Sequence, residues 1–242
     1  MIPLLAKPRV ATLDRFVREL EAQSDDPLTT CAPDLAACSD ADREAARWGW
    51  AFRVIDEYRS ATRFTALLGD LLEIEAPFEV LAAVHRLIGD ELRHARLCAR
   101  FAGEFGSLEG VRIELDDLGW KGAPRPPRER ALEIIVRELV IGEGESLAMM
   151  RAYRRATTDA AAQAVFDALL TDEARHFATG QHLEHTLLDA YPDLADFHAS
   201  LEVTLLDDVR VIRSQHRDGA RGGPGRAFGV SLTIDEAPPA IS

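Results

Sequence analysis

The chain has 242 residues, 47% of them hydrophobic, enough for a substantial core within one domain. Its formal charge of -13 argues against a nucleic acid or an anionic membrane surface as partner, because either would need a basic patch. Cys31, Cys38 and Cys98 make neither a disulfide framework nor the paired spacing of a zinc ribbon, and the chain lacks an apolar run of the ~18 residues that spanning a bilayer needs. The opening Met1 to Pro8 is too short and too Pro-interrupted for a signal peptide, so the expected location is the cytoplasm.

Residues 1–39 read as an N-terminal arm, with a short amphipathic helix at Leu13 to Ala22 followed by a Pro/Ser/Asp-rich loop. Two long amphipathic helices follow, Asp40 to Leu72 and Phe78 to Glu104, joined by a turn near Glu73 to Pro77 and therefore antiparallel. Gly106, Gly110, Gly119, Gly122, Pro124, Pro126 and Pro127 mark the next stretch as a long connection. A helix of about 27 residues is about 40 Å long, and about 22 extended residues reach about 70 Å. The connection can thus return the chain and set the third helix parallel to the second, the single-crossover form of a four-helix bundle.

Helices three and four are predicted from Pro127 to Thr157 and from Asp159 to Asp189, the turn Thr157-Thr158-Asp159 supplying an N-cap. The bundle thus occupies residues 40–189. A fifth helix is expected within residues 190–216, from Asp193 to about Ser214, carried by Leu194, Phe197, Leu201, Leu205 and Val209. Residues 217–242 read as an irregular tail in which Val230 to Ile234 alternates like a strand without an evident partner.

Within helices two and four the string Asp-Glu-x-Arg-His occurs twice, as Asp90-Glu91-Leu92-Arg93-His94 and Asp172-Glu173-Ala174-Arg175-His176. Three residues are about one helical turn, so Glu91 and His94, like Glu173 and His176, leave the same face and can hold one metal ion. One such pair is ordinarily surface decoration. Two pairs match bundle sites that draw a Glu-x-x-His from each of two helices and a single Glu from each of the others. The single Glu residues should mirror the motifs across the connecting turns. Glu57 does so across the first, within the apolar stripe Trp50, Val54, Ala61, Phe64 and Leu68, where a carboxylate needs a partner. Glu143 does so across the second, in the stripe Leu132, Val136, Leu139, Leu147 and Met150; Glu138 and Glu145 share another face and read as supporting or solvated residues.

Four carboxylates and two imidazoles form an oxygen-rich donor set, suited to two iron ions, with manganese or a mixed iron/manganese pair as alternatives and zinc a poorer one. Their total charge of about minus four would be balanced by two divalent cations. Asp90 and Asp172 invite two readings. They can accept crosswise from the outer ring nitrogens of His176 and His94, or pair with Arg93 and Arg175 as (i, i+3) ions on their own helices.

Cys98 reads as a small packing residue, and Ala95, Cys98 and Gly180 either leave room beside the site or allow tight packing. Tyr58, Tyr153, Trp48 and Trp50 invite a radical or electron-transfer role, although aromatic residues on bundle helices are ordinarily core. His85, His182, His185, His198 and His216 read as surface residues.

The order Glu57, Glu91-x-x-His94, Glu143, Glu173-x-x-His176 resembles the ferritin-like superfamily, which includes ferritins, rubrerythrins, the small subunit of class I ribonucleotide reductase and bacterial multicomponent monooxygenases. The likeness runs from Ala45 to Thr186, and Asp56 to Ala61 and Asp90 to Cys98 look most like little-characterised bacterial ferritin-like proteins. It implies a non-haem di-iron protein that activates dioxygen to oxidise a small organic substrate, served by a separate reductase. The alternatives are an iron-handling ferroxidase or peroxidase, and a scaffold with a non-catalytic metal site. Rubrerythrins usually add a Cys-x-x-Cys module, which this sequence lacks. A homodimer is the base-rate expectation.

Overall fold

The computed structural model describes residues 2–3, 26–36, 38–108, 112–113, 118, 122–201, 203–205 and 223–230. The expected helix Leu13 to Ala22 and His216 lie outside them, as does most of the strand-like Val230 to Ile234. Among the described residues, regular secondary structure is helical apart from a two-residue antiparallel pairing of β1 (Ile2–Pro3) with β2 (Arg112–Ile113).

Helix α1 spans Asp40–Glu73 and α2 spans Phe78–Glu104. Ser39 caps α1 by accepting from the Asp42 amide, with Asp40 and Asp42 complementing the dipole of the first turn. After Ile74 the chain turns through Glu75 at φ 56, the one non-glycine residue among those described with positive φ, and Ala76 N–H closes back on the Leu71 carbonyl.

The third rod is not one regular helix. It begins as α3 (Pro127–Ile134), with proline in the first turn where no amide donor is needed. It widens into a π-helical segment, Ile135–Gly142, and resumes as α4, Glu143–Ala156. Helix α5 spans Ala160–Ala190, capped by Asp159, whose carboxylate accepts from Ala162 N–H at 2.8 Å. Residues 195–201 and 203–205 are helical, the described part of the expected fifth helix.

Two apolar cores are stacked along the rods. One gathers Trp50, Phe101, Phe105 and Phe166 from the start of α1, the end of α2 and the start of α5. The other gathers Phe64, Leu67, Leu87, Ile135, Leu139 and Leu183. Leu67 takes the buried place that the stripe assigned to Leu68, which is half-buried. At the second core's end, Leu71, Val80, Ile135 and Leu187 line an apolar cavity of about 90 Å³. The end of α1, the start of α2, the start of the third rod and the end of α5 therefore meet there, so the third rod runs parallel to α2 and residues 105–126 return the chain. Two described points of that connection touch α1: Arg47 donates to the Ser107 carbonyl at 2.8 Å and Thr62 donates to that of Leu118.

Residues 223–230 close the opposite end. Phe228 is buried beside Phe105, its carbonyl accepts from the Trp50 indole at 2.8 Å, and the Ala227 carbonyl accepts from the amides of Thr158 and Asp159. Gly229, at φ 76, fits because a Cβ there would lie 2.2 Å from the Phe166 ring. This part of the tail is thus a plug, where the sequence reads as irregular. Trp50 is core, but Trp48 is 44% exposed and donates to Glu44. Tyr153 is half-buried under the Arg53 guanidinium, 4.8 Å above its ring. His85, His182 and His185 are exposed, whereas His198 departs from the expectation of a surface residue: it is half-buried and pairs with Glu184 at 2.6 Å. No helix among the described residues is long and apolar enough to cross a membrane.

Candidate metal centre

Between the two apolar cores lies a polar layer made of Glu57, Glu91, His94, Glu143, Glu173 and His176, none more than 6% exposed. Each is delivered by its own helix face: Glu57 from α1, Glu91 and His94 one turn apart on α2, Glu143 as the first residue of α4, and Glu173 and His176 one turn apart on α5.

Both imidazoles turn Nδ1 inward. His94 Nδ1 lies 3.3 Å from Glu173 Oε1, 3.5 Å from Glu57 Oε2 and 4.0 Å from Glu91 Oε2. His176 Nδ1 lies 2.9 Å from Glu91 Oε1, 3.2 Å from Glu173 Oε2 and 3.9 Å from Glu143 Oε1. Glu91 and Glu173 thus each give one oxygen to the His94 side and the other to the His176 side, while Glu57 and Glu143 serve one side each. The six residues form two four-donor groups sharing Glu91 and Glu173, with the donor atoms of each group within 4.8 Å of one another.

The donor set can be tested against metal geometry. Oxygen and nitrogen ligands about 2.1 Å from an ion stand about 3.0 Å apart at a right angle and about 3.4 Å apart at the tetrahedral angle. The observed separations bracket those values. Moreover, Glu91 Oε1, His94 Nδ1, Glu173 Oε2 and His176 Nδ1 are buried without a hydrogen-bond partner, although they face one another closely. Buried polar atoms without partners are costly, and a cation between them would satisfy all four. The residues present therefore fit two cations, one for each four-donor group.

The outer ring nitrogens are held crosswise. His94 Nε2 meets Asp172 Oδ2 at 3.2 Å, and His176 Nε2 meets Asp90 Oδ2 at 3.4 Å. The alternative reading of the aspartates holds as well, since Arg93 stands 3.1 Å from Asp90 and Arg175 2.6 Å from Asp172. Each arginine also reaches across, Arg175 to Asp90 at 2.6 Å and Arg93 to Asp172. Asp90, Arg93, Asp172 and Arg175 therefore form one charged ring behind the histidines, fixing which imidazole nitrogen faces inward.

Electrostatics follow from burial and crowding. Burial pushes the Glu91 carboxyl up to about 8, the charges of Glu173 and Glu57 adding to the rise and the facing His176 opposing it. Burial and then Glu173 raise Glu143 well above the carboxylate range. Burial would also raise Glu173, but His176 and His94 hold it well below its ordinary value. For the imidazoles burial works downward, yet Asp172, Glu173 and Glu57 keep His94 well above its ordinary value, and Asp90, Glu173 and Glu91 bring His176 up to about 11. Burial opposes ionisation of Asp172 and Asp90 too, but the imidazole and arginine partners lower both. Crowding of acids in a buried layer therefore favours the protonated forms of Glu91 and His176 where cations do not balance the charge.

Of the residues the sequence left open, Glu138 is not solvated: it forms an ion pair with Arg63 of α1. Glu145 is half-buried. Ala95 and Cys98 are packed into the aromatic core, and Gly180 abuts Leu139, so these small residues serve close packing rather than open space. The sequence missed the π-helical segment and the contact of Leu139 with Gly180. The glycine itself, four residues after His176, was the only available signal. Comparison of the chain with protein-family models, curated proteins and solved structures gave no match.

Proposed function

We propose that the chain is a ferritin-like four-helix-bundle protein with a carboxylate-bridged dinuclear metal centre, loaded with two iron ions, that activates dioxygen to oxidise a small organic substrate. The observation that carries this reading is the pair of four-donor groups sharing Glu91 and Glu173. Two reduced ions would supply electrons for dioxygen; Glu57, Glu91, His94, Glu143, Glu173 and His176 would hold them. Manganese, alone or beside iron, suits the same donors.

What the chain contributes is charge, orientation and exclusion of water. Asp172 and Asp90 keep the inner nitrogens of His94 and His176 available as donors. The apolar cores on either side keep bulk water away from the carboxylates.

The test is anaerobic titration with ferrous iron, followed by dioxygen, with bound metal and near-ultraviolet absorbance recorded. Two ions bound per chain and a transient absorbance expected of the oxidase would be its signature. Continued oxidation of excess iron would mark the iron-handling alternative. Binding without oxygen consumption would leave a scaffold, and no binding would refute the metal reading altogether.

A further inference from the structure

The two halves of the layer are built alike except where Glu143 enters. Glu57 sits in the middle of the continuous α1, whereas Glu143 follows eight residues of π-helix. Bonds from residue i to i+5 place an extra residue in each turn and widen it. The widened backbone presses on α5 at Gly180, where a Cβ would lie 2.5 Å from Leu139 Cβ, 2.9 Å from its carbonyl carbon and 3.0 Å from its oxygen. Two of those atoms are backbone and cannot swing aside. Leu139 is four residues before Glu143, and Gly180 is four after His176, so the contact lies about one turn from both residues of the pair whose donor atoms stand 3.9 Å apart. At the equivalent place in the other hairpin, four residues after His94, stands Cys98, whose side chain is accommodated against a regular α1.

From this we infer that Gly180 is a positioning residue for the ion of the Glu143 half: only a residue without a side chain lets the π-helical turn come close enough for Glu143 to share that ion with His176. The inference rests on the dinuclear reading. A methyl group at 180 would displace Leu139 by roughly an ångström to restore ordinary contact. Helix α5 would not yield instead, because Asp90 with Arg175 and Asp172 with Arg93 tie it to α2. The displacement would fall on Glu143, leaving Glu57, Glu91, His94 and Glu173 in place.

The experiment is anaerobic equilibrium binding of ferrous ion to the full chain, with metal counted per protein. Wild type takes up two ions. Gly180→Ala is expected to keep the first affinity within about twofold and to weaken the second by about 10–100-fold, the range for residues that act through a ligand. Glu143→Ala serves as the benchmark for loss of that ion. Gly69→Ala, whose added Cβ meets nothing within 4 Å, should bind like wild type. Unchanged binding by Gly180→Ala, or equal loss of both ions, overturns the assignment. Should Gly180→Ala fail to fold by circular dichroism, Gly142→Ala decides: its Cβ would lie 3.1 Å from the Arg137 carbonyl oxygen and strain the same π-helical turn from within. Selective weakening of the second ion supports the inference and wild-type binding overturns it. A wild type that binds fewer than two ions refutes the dinuclear reading and the inference with it, whereas a failure confined to the variants refutes only the role of Gly180.

Discussion

The two hairpins carry the same Asp-Glu-x-Arg-His string and deliver it through different backbones. In the first, α1 and α2 are regular over their full lengths, and the lone Glu57 sits within an unbroken stripe. In the second, the rod bearing Glu143 changes its turn from α to π and back within thirty residues, Pro127 to Ala156. Short motifs can thus be repeated while the chain that completes each metal half is free to diverge. The charge pattern is shared, because each Asp serves the histidine of the other hairpin.

The sharpest way to break the comparison is to remove a shared ligand. Glu91→Ala should abolish binding of both ions, whereas Glu57→Ala and Glu143→Ala should each leave one, as metal analysis of the purified variants would read. Equal stoichiometry across all three would show that the halves are not bridged as the oxygen positions indicate.

Global stability can be separated from the site through the plug. Phe228→Ala should cost about 3–5 kcal/mol in denaturant unfolding, the range for deleting a buried phenyl ring, with two ions still bound. A change in stoichiometry would tie the plug to the metal layer, a link that its contacts with Trp50 and Phe105 do not suggest.

The crosswise support makes a less intuitive prediction. Asp172→Asn, a change on α5, should weaken the ion of the Glu57 half by about 10–100-fold, while Asp90→Asn should do the same to the Glu143 half. Site-resolved titration would contradict this if each substitution weakened the ion nearest its own motif histidine.

A further prediction concerns pH dependence. Glu91 in the folded chain titrates at about 8 against an ordinary 4.5, and His176 at about 11 against 6.5. Both values are raised, so between about pH 5 and 11 the folded chain binds more protons than the unfolded one, and metal-free stability falls as pH rises through that window. The lowered Glu173 and Asp172 act oppositely, but their contribution is complete once pH exceeds the ordinary carboxylate range. Divalent ions bound near pH 7 should displace protons, those of Glu91 and His176 among them, seen as a buffer-dependent binding enthalpy. Binding without proton release would contradict the charge balance drawn here.

How much of this was legible beforehand differs between elements. Phe78 and Glu104 bound the second helix in both sequence and structure, because proline before it and the apolar period within it are local signals. Glu57 and Glu143 could be chosen because a carboxylate interrupting an apolar stripe must face something polar. The π-helical turn was invisible: Leu132, Val136, Leu139 and Glu143 keep α-like spacing, and nothing in that spacing records the carbonyl to which each amide bonds. The partner of Glu138 was hidden for the same reason, since its pairing with Arg63 depends on how α1 lies against the widened turn.

The plug of residues 223–230 shows the limit most plainly. Its glycines and its lone Phe228 read as irregular tail, because their bonding partners, Trp50, Thr158 and Asp159, are remote in the chain. Periodicity and repetition by themselves determined the four long rods, their order and the six inward side chains, as these follow from spacing along single rods. Only the tertiary structure decided which oxygens straddle the two halves, how each arginine joins both aspartates, and where a glycine must yield to a neighbouring backbone, because these depend on distances between rods that no local pattern encodes.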